Sequence, residues 1–343
     1  MSILVLLYYS YVAIEDVPAA VEWHKMLCEH LDLKGRLRIT PEGVNVVLDG
    51  MDSNVREYCG AVRADGRWGS DIEFKLGGLN KEKPAESQRF RSLAVQQKGE
   101  VVSLGLPPGA ARPQSTARHV SPLEWHEALE KAQQSTDGGR VVLLDTRNSY
   151  ESRIGRFECA GGGVETIVPD MRQFTDFPSY VDANIEKLRG KKVMMYCTGG
   201  VRCERASALV KERLAKEAGE GGGKGGQGAG PETEVMQLSG GVHAYLRDIG
   251  GNGFFAGKNF VFDPRRTEPV YNETIIGRCH ACAEPHDDYD NGPECRCLHC
   301  RCLLLLCDAC RSSRDWPLSP TSGCIEQLPC SSATCTAAVT NGA

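Results

Sequence analysis

No secretory leader is expected from the opening residues, and no run approaches the roughly 18 apolar residues that a membrane span needs. Its opening stretch, Met1-Ser2-Ile3-Leu4-Val5-Leu6-Leu7-Tyr8-Tyr9, carries no basic residue and breaks at Ser10 without a small-residue cleavage site, so it reads as a strand. A soluble, cytoplasmic protein in a reducing compartment is expected, with no membrane partner, and its cysteines then serve as ligands or nucleophiles rather than as a disulfide scaffold. An excess of positive charge is also missing. There are 40 Lys+Arg against 45 Asp+Glu, a net charge of -5, so a nucleic-acid partner would need a local basic patch. What is plentiful is cysteine: of the 16, five precede residue 278 and eleven lie from Cys279 onward. A length of 343 residues, at roughly 100–200 per domain, suggests two or three domains.

Residues 3–13 are rich in aliphatic and aromatic side chains and read as a strand. Val17-Pro18 opens an amphipathic helix in which Val21, Met26, Leu27 and Leu31 recur at helical spacing. Residues 36–39 and 44–48 flank Thr40-Pro41-Glu42-Gly43, the composition of a tight connection between antiparallel strands. A second helix over 52–64 and a fourth strand over 72–76 complete the order βαββαβ, which predicts a ferredoxin-like (acylphosphatase-like) domain over residues 1–105. Residues 106–118 read as a linker.

The second domain is placed at 119–255. Ser121-Pro122-Leu123-Glu124 has the form of a capping box with proline at the first helical position. Buried strands follow at 141–144, ending in Asp145, at 192–196, ending before Cys197, and at 234–238, in the alternating grammar of a parallel α/β sheet. Residues 219–230 hold eight glycines in twelve positions and read as a flexible surface insertion. No Lys-Ser or Lys-Thr pair closes that stretch, which excludes a phosphate loop of the nucleotide-binding kind.

Cys197-Thr198-Gly199-Gly200-Val201-Arg202-Cys203 lies between a strand and a helix predicted over 204–216. In an open α/β sheet, sites gather at the carboxyl ends of strands. The glycines allow successive backbone N–H groups to turn inward, and the helix start adds partial positive charge. A cysteine opening such a cradle has its thiolate stabilised, and Arg202 adds a fixed charge. The plain alternative is a tight turn with an inert buried cysteine. Cys203 reads equally as a resolving thiol and as a small helix residue. Asp145 and Arg147 are expected to support the loop through a salt bridge.

Together with Asp145-Thr146-Arg147-Asn148-Ser149-Tyr150-Glu151 and Ile154-Gly155-Arg156-Phe157, the loop resembles the rhodanese fold. Leu238-Ser239-Gly240-Gly241-Val242 and Gly257-Lys258-Asn259-Phe260-Val261-Phe262-Asp263 extend the likeness to the TrhO family of tRNA uridine hydroxylases and their eukaryotic rhodanese-like relatives, over nearly the whole chain. The glycine-rich insertion and the polar tail beyond Cys310 depart from that pattern. The resemblance implies Cys197 and Arg202 as catalytic residues, with Thr198, Gly199, Gly200, Val201 and Cys203 in support. It implies two chemistries: transfer of a sulfane sulfur through a Cys197 persulfide from a donor such as thiosulfate, or oxygen-dependent 5-hydroxylation of a tRNA wobble uridine. The Cys197-to-Arg202 loop is one residue shorter than in related phosphatases, which favours sulfur over phosphate-ester chemistry. A rival from another class is a non-catalytic module that binds an anion or a partner.

Residues 256–343 form the cysteine-rich segment. Cys279-x2-Cys282 and Cys307-x2-Cys310 are paired knuckles able to place four thiolates on one tetrahedral ion, with zinc expected as a structural cofactor. Cys295, Cys297, Cys300 and Cys302 could build a second site, with His286, His299, Cys324 or Cys330 contributing. The run lacks ferredoxin spacing, which disfavours an iron–sulfur cluster.

Overall fold

The computed structural model describes residues 2–69, 71–107, 109–135, 140–159, 163–220, 233–268, 274–289, 296 and 303–312, without the side chains of 217–220. The chain divides into two compact units: Met1–Ser103 with Val261–Pro269, and Leu104–Phe260 with Val270–Ala343.

The first unit runs β1 (Ile3–Ser10), α1 (Val17–His30), β2 (Lys34–Thr40), β3 (Gly43–Met51), α2 (Asp52–Asp65), β4 (Lys75–Gly78) and β5 (Leu93–Gln97). Its sheet has the order β4-β1-β3-β2-β5. The first four strands give the expected ferredoxin-like arrangement, antiparallel throughout, and β5 adds a parallel edge beside β2. That fifth strand is absent from the sequence prediction. The fourth strand also starts later than predicted, because only Lys75 to Gly78 pair with β1, while Ile72 is buried in the core outside any ladder. Alternate residues Leu6, Tyr8, Leu37, Ile39, Val44, Val46 and Leu48 face the two helices. Val21 and Leu27 of α1 and Leu31 at its C-cap pack against the core as predicted, joined by the buried Val17, Ala20, His24 and Cys28, whereas Met26 is 62% exposed. His24 is tolerated there because its Nδ1 bonds the Tyr58 hydroxyl at 2.9 Å, which in turn meets Tyr8 at 3.0 Å.

In the second unit, β6 (Arg118–Val120), α3 (Pro122–Gln134), β7 (Val141–Asp145), α4 (Ser149–Ser152), β8 (Gly155–Phe157), β9 (Val164–Ile167), α5 (Phe177–Asn184), β10 (Lys192–Tyr196), α6 (Val201–Glu220), β11 (Glu234–Leu238), α7 (Gly241–Ile249) and β12 (Phe255–Gly257) precede the short α8 (Asp308–Ser312). The main sheet, β6-β11-β10-β7-β9, is parallel at every pairing, and β8 and β12 form a small antiparallel pair. Leu143, Met194, Tyr196, Met236 and Leu238 pack on Trp125 and Leu129 of α3 and Val242, Tyr245 and Leu246 of α7. Their neighbours Val142, Leu144, Val193 and Met195 are buried as well, so both faces are covered and the strands read as continuous apolar runs. At the start of α3, Ser121 accepts from the Glu124 N–H at 3.2 Å, but the Glu124 carboxylate takes Arg118 at 2.8 Å rather than closing the predicted box. The glycine-rich stretch lies outside the described residues from 221 onward. No helix among the described residues is long and apolar enough to cross a membrane.

Candidate active site and metal centre

Cys197 follows β10 directly, and the loop to Gly200 hands the chain to α6 at Val201. Cys197 is fully buried, and the Gly200 N–H donates to its Sγ at 3.1 Å. The loop turns its N–H groups inward because its carbonyls are held elsewhere: the Cys197 and Thr198 oxygens accept from the N–H groups of Val242 and His243, at 2.9 and 3.0 Å, at the start of α7. This approach requires glycine. Gly241 has φ of 68°, and a Cβ there would lie 2.6 Å from the Cys197 oxygen and 2.7 Å from the Gly200 nitrogen.

Burial opposes charge on the Cys197 thiol. The Cys203 thiol, the Arg202 guanidinium and the backbone N–H groups of Arg202 and Cys203 overcome that penalty and bring its pKa down to about 5. Cys203 moves the opposite way, raised by burial and by the neighbouring Cys197. One thiolate and one thiol therefore share the turn, with Cys203 also 3.5 Å from the Thr146 hydroxyl. Thr146 is itself anchored on the Tyr196 carbonyl at 3.0 Å.

Arg202 is committed to Glu151. Its two terminal nitrogens meet the two carboxylate oxygens at 2.6 and 2.7 Å, and Thr198 donates to Glu151 at 2.9 Å. Glu151 also accepts from the Asn148 N–H at 2.9 Å, capping the single turn of α4. In the sequence Glu151 stands out only as the last residue of the motif 145–151. The one signal for its role is a glutamate three residues after Asn148, the spacing of a capping pair.

Asp145 and Arg147 form a fully buried bidentate pair at 2.9 and 2.7 Å. Burial penalises both charges, but pairing wins, holding Asp145 below the usual carboxylate range and Arg147 above its own. The hydrogen bonds of this pair run within residues 145–155. It braces the end of β7, reaching the Gly155 carbonyl at 2.6 Å through Arg147 and accepting from Ser152 of α4 at 2.7 Å through Asp145.

Cys279, Cys282, Cys307 and Cys310 come together, with all four sulfurs within 4.8 Å of one another. Cys282 and Cys307 are 3.7 Å apart, and zinc–sulfur bonds of about 2.3 Å in a tetrahedron demand about that spacing. The N–H groups of Ala281 and Cys307 both donate to the Cys279 sulfur at 3.4 Å, as suits a thiolate ligand. The donor set and spacing fit one tetrahedral metal ion. Cys295, Cys297, Cys300, Cys302, His299, Cys324 and Cys330 lie outside the described residues, and His286 Nε2 is 3.0 Å from the Asp288 carbonyl.

Residues 3–101 match the UPF0176 acylphosphatase like domain, and residues 256–336 match the Rhodanase C-terminal family. The chain is 39% identical over 316 residues to Rhodanese-like domain-containing protein 6 of Arabidopsis thaliana, covering 91% of this chain but 51% of that protein, so it spans about half the length of that relative. It is 35% identical to the tRNA uridine(34) hydroxylase of Staphylococcus epidermidis, over 85% of this chain and 81% of that one. The protein of the same name from Pseudarthrobacter chlorophenolicus is 32% identical, over 93% of this chain and 98% of its own. The first unit is thus an acylphosphatase-like mixed sheet and the second carries a rhodanese-like parallel sheet. On this likeness, sustained over more than four fifths of both bacterial proteins, the chain belongs to the tRNA uridine(34) hydroxylase family.

Proposed function

We propose that this protein is a rhodanese-type cysteine enzyme that modifies the wobble uridine of tRNA, with Cys197 as its reactive group. The observation that carries the reading is the Gly200 N–H donating to one buried sulfur at the carboxyl end of β10, with the Cys203 thiol and the Arg202 charge favouring its ionised form. Such a site keeps a thiolate ready at neutral pH. Thr198 and Glu151 aim Arg202, Gly199, Gly200 and Val201 shape the cradle, and Asp145 with Arg147 stiffens the strand end that carries α4. Cys203 holds a proton beside Cys197 and can return it. The name shared by the bacterial relatives supplies the substrate class.

The same thiolate supports a second reading, thiosulfate sulfurtransfer. Cys197 would attack the outer sulfur of thiosulfate, forming a persulfide S–S bond while the bond to sulfite breaks and sulfite leaves with the electron pair. An acceptor thiophile would then take the sulfur and restore the thiolate. The compact loop supports it, since Gly241 fills the space beneath the cradle.

Cys279, Cys282, Cys307 and Cys310 are the proposed zinc ligands. A closed set of four thiolates would crosslink the two knuckles and contribute folding free energy.

Mass spectrometry of tRNA nucleosides from cells lacking the gene, complemented with wild type or Cys197→Ser, separates these readings. We expect 5-hydroxyuridine or its derivatives with the wild type and their loss with Cys197→Ser. Equal levels in both would remove Cys197 from the reaction. Unchanged tRNA together with Cys197-dependent thiosulfate:cyanide turnover would select sulfurtransfer.

A further inference from the structure

Glu151 aims Arg202, yet it sits on a helix of four residues, Ser149–Ser152. One helical turn is not stable alone, so α4 must be held by its surroundings. On one side the rhodanese sheet holds it, through Ser152 on Asp145 at 2.7 Å and the Ser149 N–H on the Met171 carbonyl at 2.8 Å. On the other side lies the cysteine-rich segment. The Tyr289 hydroxyl donates to the Tyr150 carbonyl of α4 at 2.9 Å. Tyr150 packs edge-on against Phe260 at 5.2 Å, and Phe260 against Tyr289 at 5.8 Å. Ile154, Leu303 and Leu305 complete this buried cluster.

The cluster is tied to the cysteine knuckles. The Leu305 carbonyl accepts from the His280 N–H at 2.8 Å, and the Cys307 N–H bonds the Cys279 sulfur two residues further on. A second tie, Lys258 Nζ to Asp287 at 2.8 Å, joins the same segment to a residue whose own N–H bonds the Ile154 carbonyl at 2.7 Å.

We propose that the four-cysteine module is a positioning element for Cys197: docked on α4 through Tyr289 and Leu305, it holds Glu151 where Glu151 aims the Arg202 guanidinium. Tyr289 is the positioning residue, acting through Tyr150, Glu151 and Arg202 in turn. The module contains few apolar residues beyond residues 303–306, so its docked shape depends on the metal its thiolates would bind. Metal loading and the state of the distant Cys197 thiol are thereby coupled. This inference rests on Cys197 being the reactive group, but its test needs no substrate.

Trypsin releases Cys197 in a peptide of residues 193–202, in which it is the only cysteine. Native full-length protein is pulsed with iodoacetamide across a pH series and the labelled peptide is quantified. Four samples are compared: wild type, chelator-stripped wild type with metal loss verified by elemental analysis, Tyr289→Ala and Tyr289→Phe. With α4 released, Glu151 no longer fixes the Arg202 guanidinium, while the burial penalty on Cys197 remains. The midpoint of labelling should rise by about one unit in the stripped protein and in Tyr289→Ala, a tenfold loss of thiolate at a given acidic pH. Tyr289→Phe keeps the ring and loses only the bond to Tyr150, so it should shift in the same direction by less, and it decides the matter where Tyr289→Ala fails to fold. A midpoint that stays in place or falls, in protein whose β7 and β10 amides keep their protection from exchange, overturns the proposal. Should Cys197→Ser keep full tRNA modification, the catalytic reading falls while the labelling result stands as measured.

Discussion

Two thiols in one turn titrate in opposite directions, and the difference lies in who donates to whom. Cys197 receives the Gly200 N–H and the Cys203 thiol, whereas Cys203 receives little beyond the weak contact with Thr146. Burial acts against the charge on both, so the donors decide which one ionises. With its pKa depressed to about 5, the Cys197 thiolate is present above that pH and is lost as pH falls through it. Replacing Cys203 by Ala removes the largest of the stabilising contacts and should move the onset of Cys197 reactivity to higher pH. Cys203→Ser keeps a hydroxyl donor and should move it less. Rates of thiosulfate turnover or alkylation between about pH 4 and 9 measure this, within the window set by the buried and ordinary thiol values. Superimposable profiles for wild type and Cys203→Ala would show that Cys203 is a packing residue only.

At the scale of elements, what was legible in the sequence is what depends on neighbours in the chain. Strands β10 and β11 cover the predicted 192–196 and 234–238, because each mostly apolar stretch opens on a charged residue, Lys192 or Glu234, and stops at a glycine-containing turn. Other features depend on partners far away in sequence. The α1 face passes through His24 and Cys28 rather than Met26, since the choice is made by the sheet and by the Tyr58 hydroxyl, 34 positions away from His24. Strand β5 has only Leu93 and Val95 to alternate, too weak a pattern without the edge of β2 to receive it. Glu151 meets Arg202 across 51 positions, so its capping spacing from Asn148 marks the start of α4 but not the partner. The two knuckles fall between these cases: each Cys-x2-Cys is a local signal, and tetrahedral geometry makes their meeting predictable. Metal analysis of the purified full chain should therefore return zinc and should lose it in Cys307→Ser. Full metal content in that variant would mean that the ligands lie elsewhere in the segment.

Across the whole molecule, the path of the chain makes the first unit depend on residues far along the sequence. Residues 261–269 cluster with the first unit although some 160 residues separate them from its last strand. The anchor is Arg265, nine-tenths buried or more, which pairs with Asp263 at 2.8 and 2.7 Å and donates to the Gly78 carbonyl of β4 at 3.0 Å. Asp49, buried on β3, adds a second negative charge nearby and has its own partners in Arg89 and the Phe90 N–H. Removing Arg265 leaves Asp263 buried beside Asp49 without a counter-charge. Breaking a buried pair by deleting one partner costs about 3–5 kcal/mol, more than a typical surface change by several-fold. Arg265→Ala should therefore lower the denaturant midpoint of the first unit and speed amide exchange in β4, while β7 and β10 of the second unit keep their protection. The double variant Arg265→Ala with Asp263→Ala should lose less than the single one, because the orphaned charge is gone as well. A fragment ending at residue 105 lacks the anchor entirely and should show the same fast exchange in β4. If β4 exchanges equally in the full chain, the Arg265→Ala chain and the fragment, residues 261–269 contribute no stability to the first unit.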